Sequence, residues 1–389
     1  MGQTLRLKQQ TDRLTLAGVR ITTGSIFAGE HDKRVTSLAN YAVGAMVAGR
    51  AGIRPIGAAY AALAEIQPKS GVKQVDRYLS NAGIDVEALT PAWAKFVLGP
   101  RRAALIALDW TAFDGDEHAT LAAYVVTTHG RATPLAWKTV EKSMLRNRRT
   151  GYEHELVERL ARAIPPEVEI ELLADRGFGD QKLYQLLDML GWDYTIRCRG
   201  NILVEHDGVV KKAKEWLPAS GRATKLVGAK VTGKRVSVAA VVVVHNKKMK
   251  EPWCLVTSRG TATTSSTVKR YGRRFTIEET FRDQKDPRFG MGLRATRIGN
   301  PQRRDRLLML LAIAQALLTL LGAAAERAGL DRYHKTNTSK KRTHSLFRQG
   351  CDWYSAIPYQ RADWIAALIF AFEEVLQEHQ SMAGILAVI

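Results

Sequence analysis

From Leu307 the chain reads LLMLLAIAQALLTLLGAAAERAGL. A run this apolar has two stable settings: across a bilayer, whose core takes about 20 such residues as a helix, or inside a protein, covered on every side. Gln315 and Thr319 interrupt it, Glu326 and Arg327 follow at once, and nothing else in the sequence looks membranous. The expectation is a helix buried in a protein core, with no membrane partner. The opening stretch MGQTLRLKQQTDRLTLAG has no apolar run of the signal-peptide kind. A length of 389 residues suggests about two to three domains.

The texture changes near residue 100. Before it, VTSLANYAVGAMVAGRAGIRPIGAAYAALAEI and SGVKQVDRYLSNAGI are Ala-rich, with apolar positions at helical spacing and few strand formers. Residues 1–99 therefore read as a helical region, and GVKQVDRYLS as a turn leading into a short basic helix of the kind found in DNA-binding modules. Beyond it, strands and helices alternate. RRAALIALDWTAF is an apolar run ending at Asp109, DGDEH is a turn, and TLAAYVVTTHG and the segment around LAWKTV are the next two strands. EHELVERLARAI is a helix, EVEIELLADRGFGD a strand ending at Asp175, DQKLYQLLDMLG a helix capped by Asp180, and WDYTIRCRG a further strand. That order makes a mixed α/β sheet, and polar residues at its strand ends mark the edge where ligands sit.

The gap from Asp175 to the next carboxylate of interest, Glu278, is longer than one helix and one strand require. It holds VSVAAVVVV, dense in β-branched residues, and the turn VTGKR. Residues 200–267 read as a β-rich insertion placed before a helix that carries Glu278. The core then has two parts, residues 100–199 and 268–330, followed by a helical C-terminal region, 331–389.

That helix lies in YGRRFTIEETFRDQK, Tyr271 to Lys285. At about 100° per residue, Arg274, Lys285, Glu278 and Tyr271 fall within a stripe of roughly 60°. A carboxylate amid cations asks for a reason beyond the few tenths of a kcal/mol of an i,i+4 pair. Lys plus Arg number 58 against 38 acidic residues, so the chain attracts polyanions, and nucleic acid is the leading partner. Asp109 and Asp175 each follow an apolar strand; if those strands are neighbours, the two carboxylates converge. With Glu278 they make a site for hard cations such as Mg2+. Two such ions about 3.5–4 Å apart clamp both the attacking and the leaving oxygen of a phosphoryl displacement.

Other chemistry finds less support. Cys198, Cys254 and Cys351 are far apart and form no CxxC, which fits a reduced, cytoplasmic protein without a cysteine metal site. His31, His154, His245, His334 and His344 lack zinc or triad spacing, and no nucleotide-binding glycine motif is present. DGDEH reads as a solvated turn rather than a metal cluster, and KTNTSKKR, Lys335 to Arg342, as a mobile basic loop that touches phosphates.

LALDWT, LLADRGF and YGRRFTIEETFRDQK, in this order on these elements, resemble the three motifs of bacterial insertion-sequence DDE transposases. The group is insertion sequence family four, named in its third motif for a Tyr-Arg-Glu-Lys signature. The likeness covers about residues 100 to 360, including SLFRQG at Ser345 to Gly350, and implies an RNase H-like core. It puts Asp109, Asp175 and Glu278 at the catalytic, metal-binding positions, with two Mg2+ ions for which Mn2+ substitutes. Tyr271, Arg274 and Lys285 fall where the family contacts the DNA end. Trp253, in WCLVTS, matches a tryptophan that some relatives use to hold a base flipped from the end. The resemblance further implies double-stranded transposon-end and target DNA as partners, a homodimer in a synaptic assembly, and a nucleoid-associated location in the bacterial cytoplasm. An RNase H-fold nuclease without strand transfer and a non-catalytic DNA-binding relative are the alternatives.

Overall fold

The computed structural model describes residues 14–381 and 386, apart from 248, 289 and 337. The first thirteen residues, on which most of the signal-peptide reading rests, lie outside the described residues. The described residues open with five helices, Leu16–Ile26, Asp32–Ala48, Ile53–Leu63, Pro68–Ser80 and Val86–Leu98. GVKQVDRYLS falls wholly inside the fourth. There is no turn at Gly71, because its backbone packs against Gly57 so closely that a Cβ would stand 2.2 Å from the Gly57 carbonyl oxygen.

Strands β1 (Ala103–Phe113), β2 (His118–Val126), β3 (Ala132–Glu141), β4 (Glu169–Ala174) and β5 (Asp193–Cys198) follow. They lie in the order β3-β2-β1-β4-β5. β1 pairs antiparallel with β2 and parallel with β4, and β4 pairs parallel with β5. The sheet is mixed, as its element order implies.

The β-rich stretch divides between two sheets. β6 (Leu203–His206), β7 (Val209–Lys212), β9 (Lys230–Val231) and β10 (Val236–Ser237) form a small four-stranded sheet. β8 (Thr224–Val227), β11 (Ala240–Val244) and β12 (Trp253–Thr257) instead extend the main sheet past β5 to eight strands. The physical reason is burial: VVVV in β11 is buried on both faces, which a small solvated insertion cannot provide.

Parity along the strands sorts the two faces. Even positions of β1, Ile106 and Leu108, join the large core with the helix Arg149–Ala163 and the long helix Pro301–Arg327. Odd positions, Leu105 and Ala107, pack with Leu173, Tyr124, Ile277 and Phe281 beneath the helix Thr276–Lys285. We call these the core helix and the glutamate helix.

The core helix is the apolar run of the sequence, and 94% of its most apolar window is buried inside the protein. Its interrupting polar groups are satisfied internally. Gln315 accepts from Gln284 Nε2 at 3.0 Å, Gln284 accepts from the Tyr124 hydroxyl at 3.1 Å, and the Thr319 hydroxyl donates to the Gln315 carbonyl at 2.7 Å. Leu346–Ala356 crosses the core helix at glycines. A Cβ on Gly350 would lie 1.8 Å from the Leu318 carbonyl oxygen, and one on Gly322 would lie 1.9 Å from that of Leu346.

Two local readings need correction. Asp180 precedes the helix Gln181–Met189 but its side chain caps nothing there; it sits 3.5 Å from His154 Nε2. DGDEH is not a free turn. Asp116 accepts from the fully buried Arg304 and from the Ile298 N–H, and Arg304 also donates to His118 Nδ1 at 3.2 Å, so the segment anchors the start of the core helix. The basic run from Lys335 is tethered near both ends, by Lys335 to Asp331 and Arg342 to Glu326; Asn337 within it lies outside the described residues.

Candidate active site

Register brings the two aspartates together. The parallel pairing of β1 and β4 runs to Leu108 opposite Ala174, so the next residues, Asp109 and Asp175, are neighbours across the strands. Being odd, both face the glutamate helix. Asp109 is not at the end of its strand: β1 continues to Phe113 against β2 alone, with Asp109 opposite Ala122. The edge is made by β4, which stops at Ala174. Asp175 opens a short turn, Arg176–Phe178.

Glu278 enters from the first turn of the glutamate helix, which is fixed to the sheet at several points. Ala132 N–H donates to the Thr280 hydroxyl at 2.7 Å, Arg131 pairs with Asp283 at 2.6 Å, and Phe281 meets Tyr124 edge-on with centroids 5.4 Å apart. Between Asp109 and Glu278 lies Arg274. Its Nη1 is 3.0 Å from Asp109 Oδ2 and its Nη2 is 2.6 Å from Glu278 Oε1. The Arg274 side chain is only 4% exposed, whereas that of Glu278 is 48% exposed. Asp175 faces a different cation, with Oδ1 3.9 Å from Arg197 Nη1.

The electrostatics follow from this crowding. Burial pushes the Asp109 carboxyl up; Arg274 and the Trp110 N–H pull it down, and Glu278 and Asp175 push it up again. Glu278 and Asp175 are thus near enough to act on Asp109. On Arg274, burial disfavours the charge, but Tyr271, Asp109, Glu278 and Asp175 more than offset it and hold the guanidinium protonated.

The single stripe expected over Tyr271–Lys285 is broken. Thr264–Gly272 is one helix, Arg273–Phe275 a tight turn, and Thr276–Lys285 a second helix. The Thr276 N–H and hydroxyl both donate to the Arg273 carbonyl, which tightens the chain there. As a result Tyr271 is fully buried and presents no surface to a ligand. Trp253, the first residue of β12, covers it edge-on at 5.0 Å and lies 5.8 Å from the Phe275 ring. Lys285 sits beyond Asp109 on the same face, donating to the Thr111 hydroxyl at 2.8 Å and the Ala112 carbonyl at 2.7 Å. Burial, with help from Arg294, lowers its pKa to about 8.

The structure therefore gathers Asp109, Asp175, Glu278 and Arg274 at one edge, sets Lys285 beside them, and withdraws Tyr271 behind Trp253. Sequence reasoning missed Arg197, Arg176 and Glu251. Ile196 stands opposite Ala174, so Arg197 is the next residue in register with Asp175; the basic end of TIRC could have shown it. Glu251 holds both arginines, at 2.8 Å from each. These three, with Arg199 and Lys214, line a cavity of ≈ 630 Å³ next to Asp175.

As a donor set, three carboxylates suit a hard divalent ion. Asp109 and Glu278 already direct one oxygen each at a common cationic centre, the Arg274 guanidinium. Among the described residues no three acidic, His or Cys side chains lie close enough to hold an ion as they stand. A model described as the transposase DDE domain matches residues 105–317, a span that contains all three carboxylates. No curated protein matches the chain.

Proposed function

We infer, from the premise that this chain belongs to the transposase DDE-domain family, that it binds the ends of a mobile DNA element, hydrolyses a phosphodiester there and transfers the freed strand. The observation that carries this is the register that makes Asp109 and Asp175 neighbours, with Glu278 joined to Asp109 through Arg274. Asp109, Asp175 and Glu278 would hold Mg2+, or Mn2+ in its place, which supplies positive charge at the scissile phosphate and lowers the pKa of bound water. Strand order β3-β2-β1-β4-β5 supports an RNase H-like core, and the Tyr-Arg-Glu-Lys spacing supports insertion sequence family four.

The protein's own groups divide the work. Asp109 and Asp175, on adjacent strands, form a rigid floor, and Glu278 on its pinned helix closes one side. Lys285, Arg176, Arg197, Arg199 and Lys214 flank the carboxylates and take up phosphates of the bound strands. Trp253 is partly buried and is the ring on which an unstacked base would stack. Residues 1–99 contribute further DNA affinity, and two copies act together in the bacterial cytoplasm, since two ends must be cut in one event.

The test is incubation of purified protein and Mg2+ with double-stranded DNA carrying its own element's ends, followed by mapping of the product strands. Nicks at the end followed by joined products are the expected result. Nicks without joined products would make it a nuclease of the same fold, and end binding with no Mg2+-dependent product would leave only a DNA-binding protein.

A further inference from the structure

We propose that Arg274 is a built-in counter-cation, whose guanidinium holds Asp109 and Glu278 together until a divalent ion displaces it and frees it for a DNA phosphate. The proposal rests on reading Asp109, Asp175 and Glu278 as the metal-holding set.

The two nitrogens of Arg274 that face Asp109 and Glu278 occupy an oxygen on each. The other Asp109 oxygen, Oδ1, accepts from the Trp110 N–H at 2.8 Å, so an ion held by Asp109 competes with Arg274 for Oδ2. Two cations on one small group of carboxylates, in a site where Arg274 is 4% exposed, repel far more strongly than in water. Occupation by the ion and by the guanidinium is therefore competitive. Without either cation, the partly buried Asp109 carboxylate would face the negative charge of Glu278 with nothing between them. Arg274 resolves that conflict in the metal-free protein.

The same residue is placed to move. It lies in the three-residue turn Arg273–Phe275 between two helices, not inside either one. Its Nε is buried without a hydrogen-bond partner, so the two carboxylate bonds at Nη1 and Nη2 are its main polar anchors. The guanidinium already rests over the Phe275 ring, its carbon 4.8 Å from the centroid, a contact that does not depend on either carboxylate. Once released, the group is a fork of N–H donors matched to a phosphate. Metal and DNA would then favour each other's binding through one side chain, and the linkage is reciprocal.

The test measures Mn2+ binding by electron paramagnetic resonance on the full chain without DNA. Arg274→Gln should bind Mn2+ roughly 10-fold tighter than wild type, within the ordinary range of coupling. Equal or weaker binding by a folded Arg274→Gln overturns the proposal. Should that variant fail to fold, the wild-type protein still decides. Mn2+ should change the emission of Trp253, which shares a cluster with Phe275, and Trp253→Phe should lose that change; no change in wild type overturns the idea. Asp175→Asn separates the proposal from its premise, because Asp175 does not bond Arg274. If Asp175→Asn loses Mn2+ while Arg274→Gln merely equals wild type, the metal site stands and the counter-cation role falls. If no Mn2+ binds to any form, both fall.

Discussion

Asp305, in the first turns of the core helix, gives the chain a pH-dependent stability whose sign is fixed by its surroundings. Both its oxygens accept from the Thr139 N–H, at 3.0 and 3.3 Å. Burial raises its pKa from 3.8 to about 7, while Thr139, Arg159 and Lys138 pull the other way without winning. The folded chain therefore keeps a proton that the unfolded chain gives up above pH 4. Stability from this group is full below that point and is lost as pH rises through 7. At 1.36 kcal/mol per unit, a shift of about three units is worth about 4 kcal/mol. Asp305 keeps partial solvent contact, so about 2 kcal/mol is the better figure after screening. Asp305→Asn retains one acceptor for Thr139 and cannot ionise. Urea denaturation of both proteins at pH 4, 5, 6, 7 and 8 should show the variant gaining on wild type by about 2 kcal/mol across that range. A difference that stays constant with pH, or that moves in favour of wild type as pH rises, refutes the reasoning.

Asp109→Asn, Asp175→Asn and Glu278→Gln should each cut DNA cleavage by about 100-fold or more in a labelled-strand assay, while end binding changes little in a gel shift, because the basic surface supplies affinity; an active Asn or Gln variant removes that residue from the site. Gly350→Ala forces a methyl to within 1.8 Å of the Leu318 carbonyl oxygen and should cost about 1–3 kcal/mol by denaturation; an unchanged midpoint means the helix crossing is loose. Trp253→Ala should leave the first nick largely intact and slow the step after it, with less brightening of a fluorescent base analogue at the end; a variant that nicks poorly but binds normally makes Trp253 only the cover of Tyr271. Cys198 and Cys254 stand directly opposite each other on β5 and β12 as free thiols, within the Cα separation a disulfide spans. Treatment with diamide should lower the thiol count of the denatured protein from three to one, and three reactive thiols after treatment would show the pair too constrained to join.

What the sequence disclosed and what it hid follow a physical division. Apolar length announced the core helix, since an apolar run with Gln315 and Thr319 inside needs only cover and two internal partners. Apolar runs set between turns and helices announced β1 to β5, and the aspartates stood out because they end two of those runs. Pairing was not legible: Cys198 and Cys254 look remote in sequence and are opposite in the sheet, and Arg197 is unremarkable until Ile196 is seen beside Ala174. Nor was the break at Arg273–Phe275 legible. A 100° wheel assumes one continuous helix, and a three-residue turn of tighter pitch is enough to bury Tyr271 and swing Arg274 onto the carboxylates. Asp116 shows the reverse error, a polar turn residue recruited by a buried arginine distant in sequence.

The position of the β-rich stretch then has a structural explanation. A self-contained insertion could return the chain to the glutamate helix from anywhere on the surface. Here β12 pairs with β5, with Cys254 opposite Cys198, so the sheet itself fixes where the chain re-enters. That pairing sets Pro252 and Glu251 beside Arg197, and Glu251 holds the arginine that faces Asp175. It also lays Trp253 over Tyr271 and Phe275, on the turn from which Arg274 reaches Asp109 and Glu278. One strand thus positions the partners of all three carboxylates. A substitution that shifts β12 by a single residue would flip Trp253 to the other face and exchange it with Cys254. Such a shift would disturb Arg197 and Arg274 together, although neither residue lies on that strand.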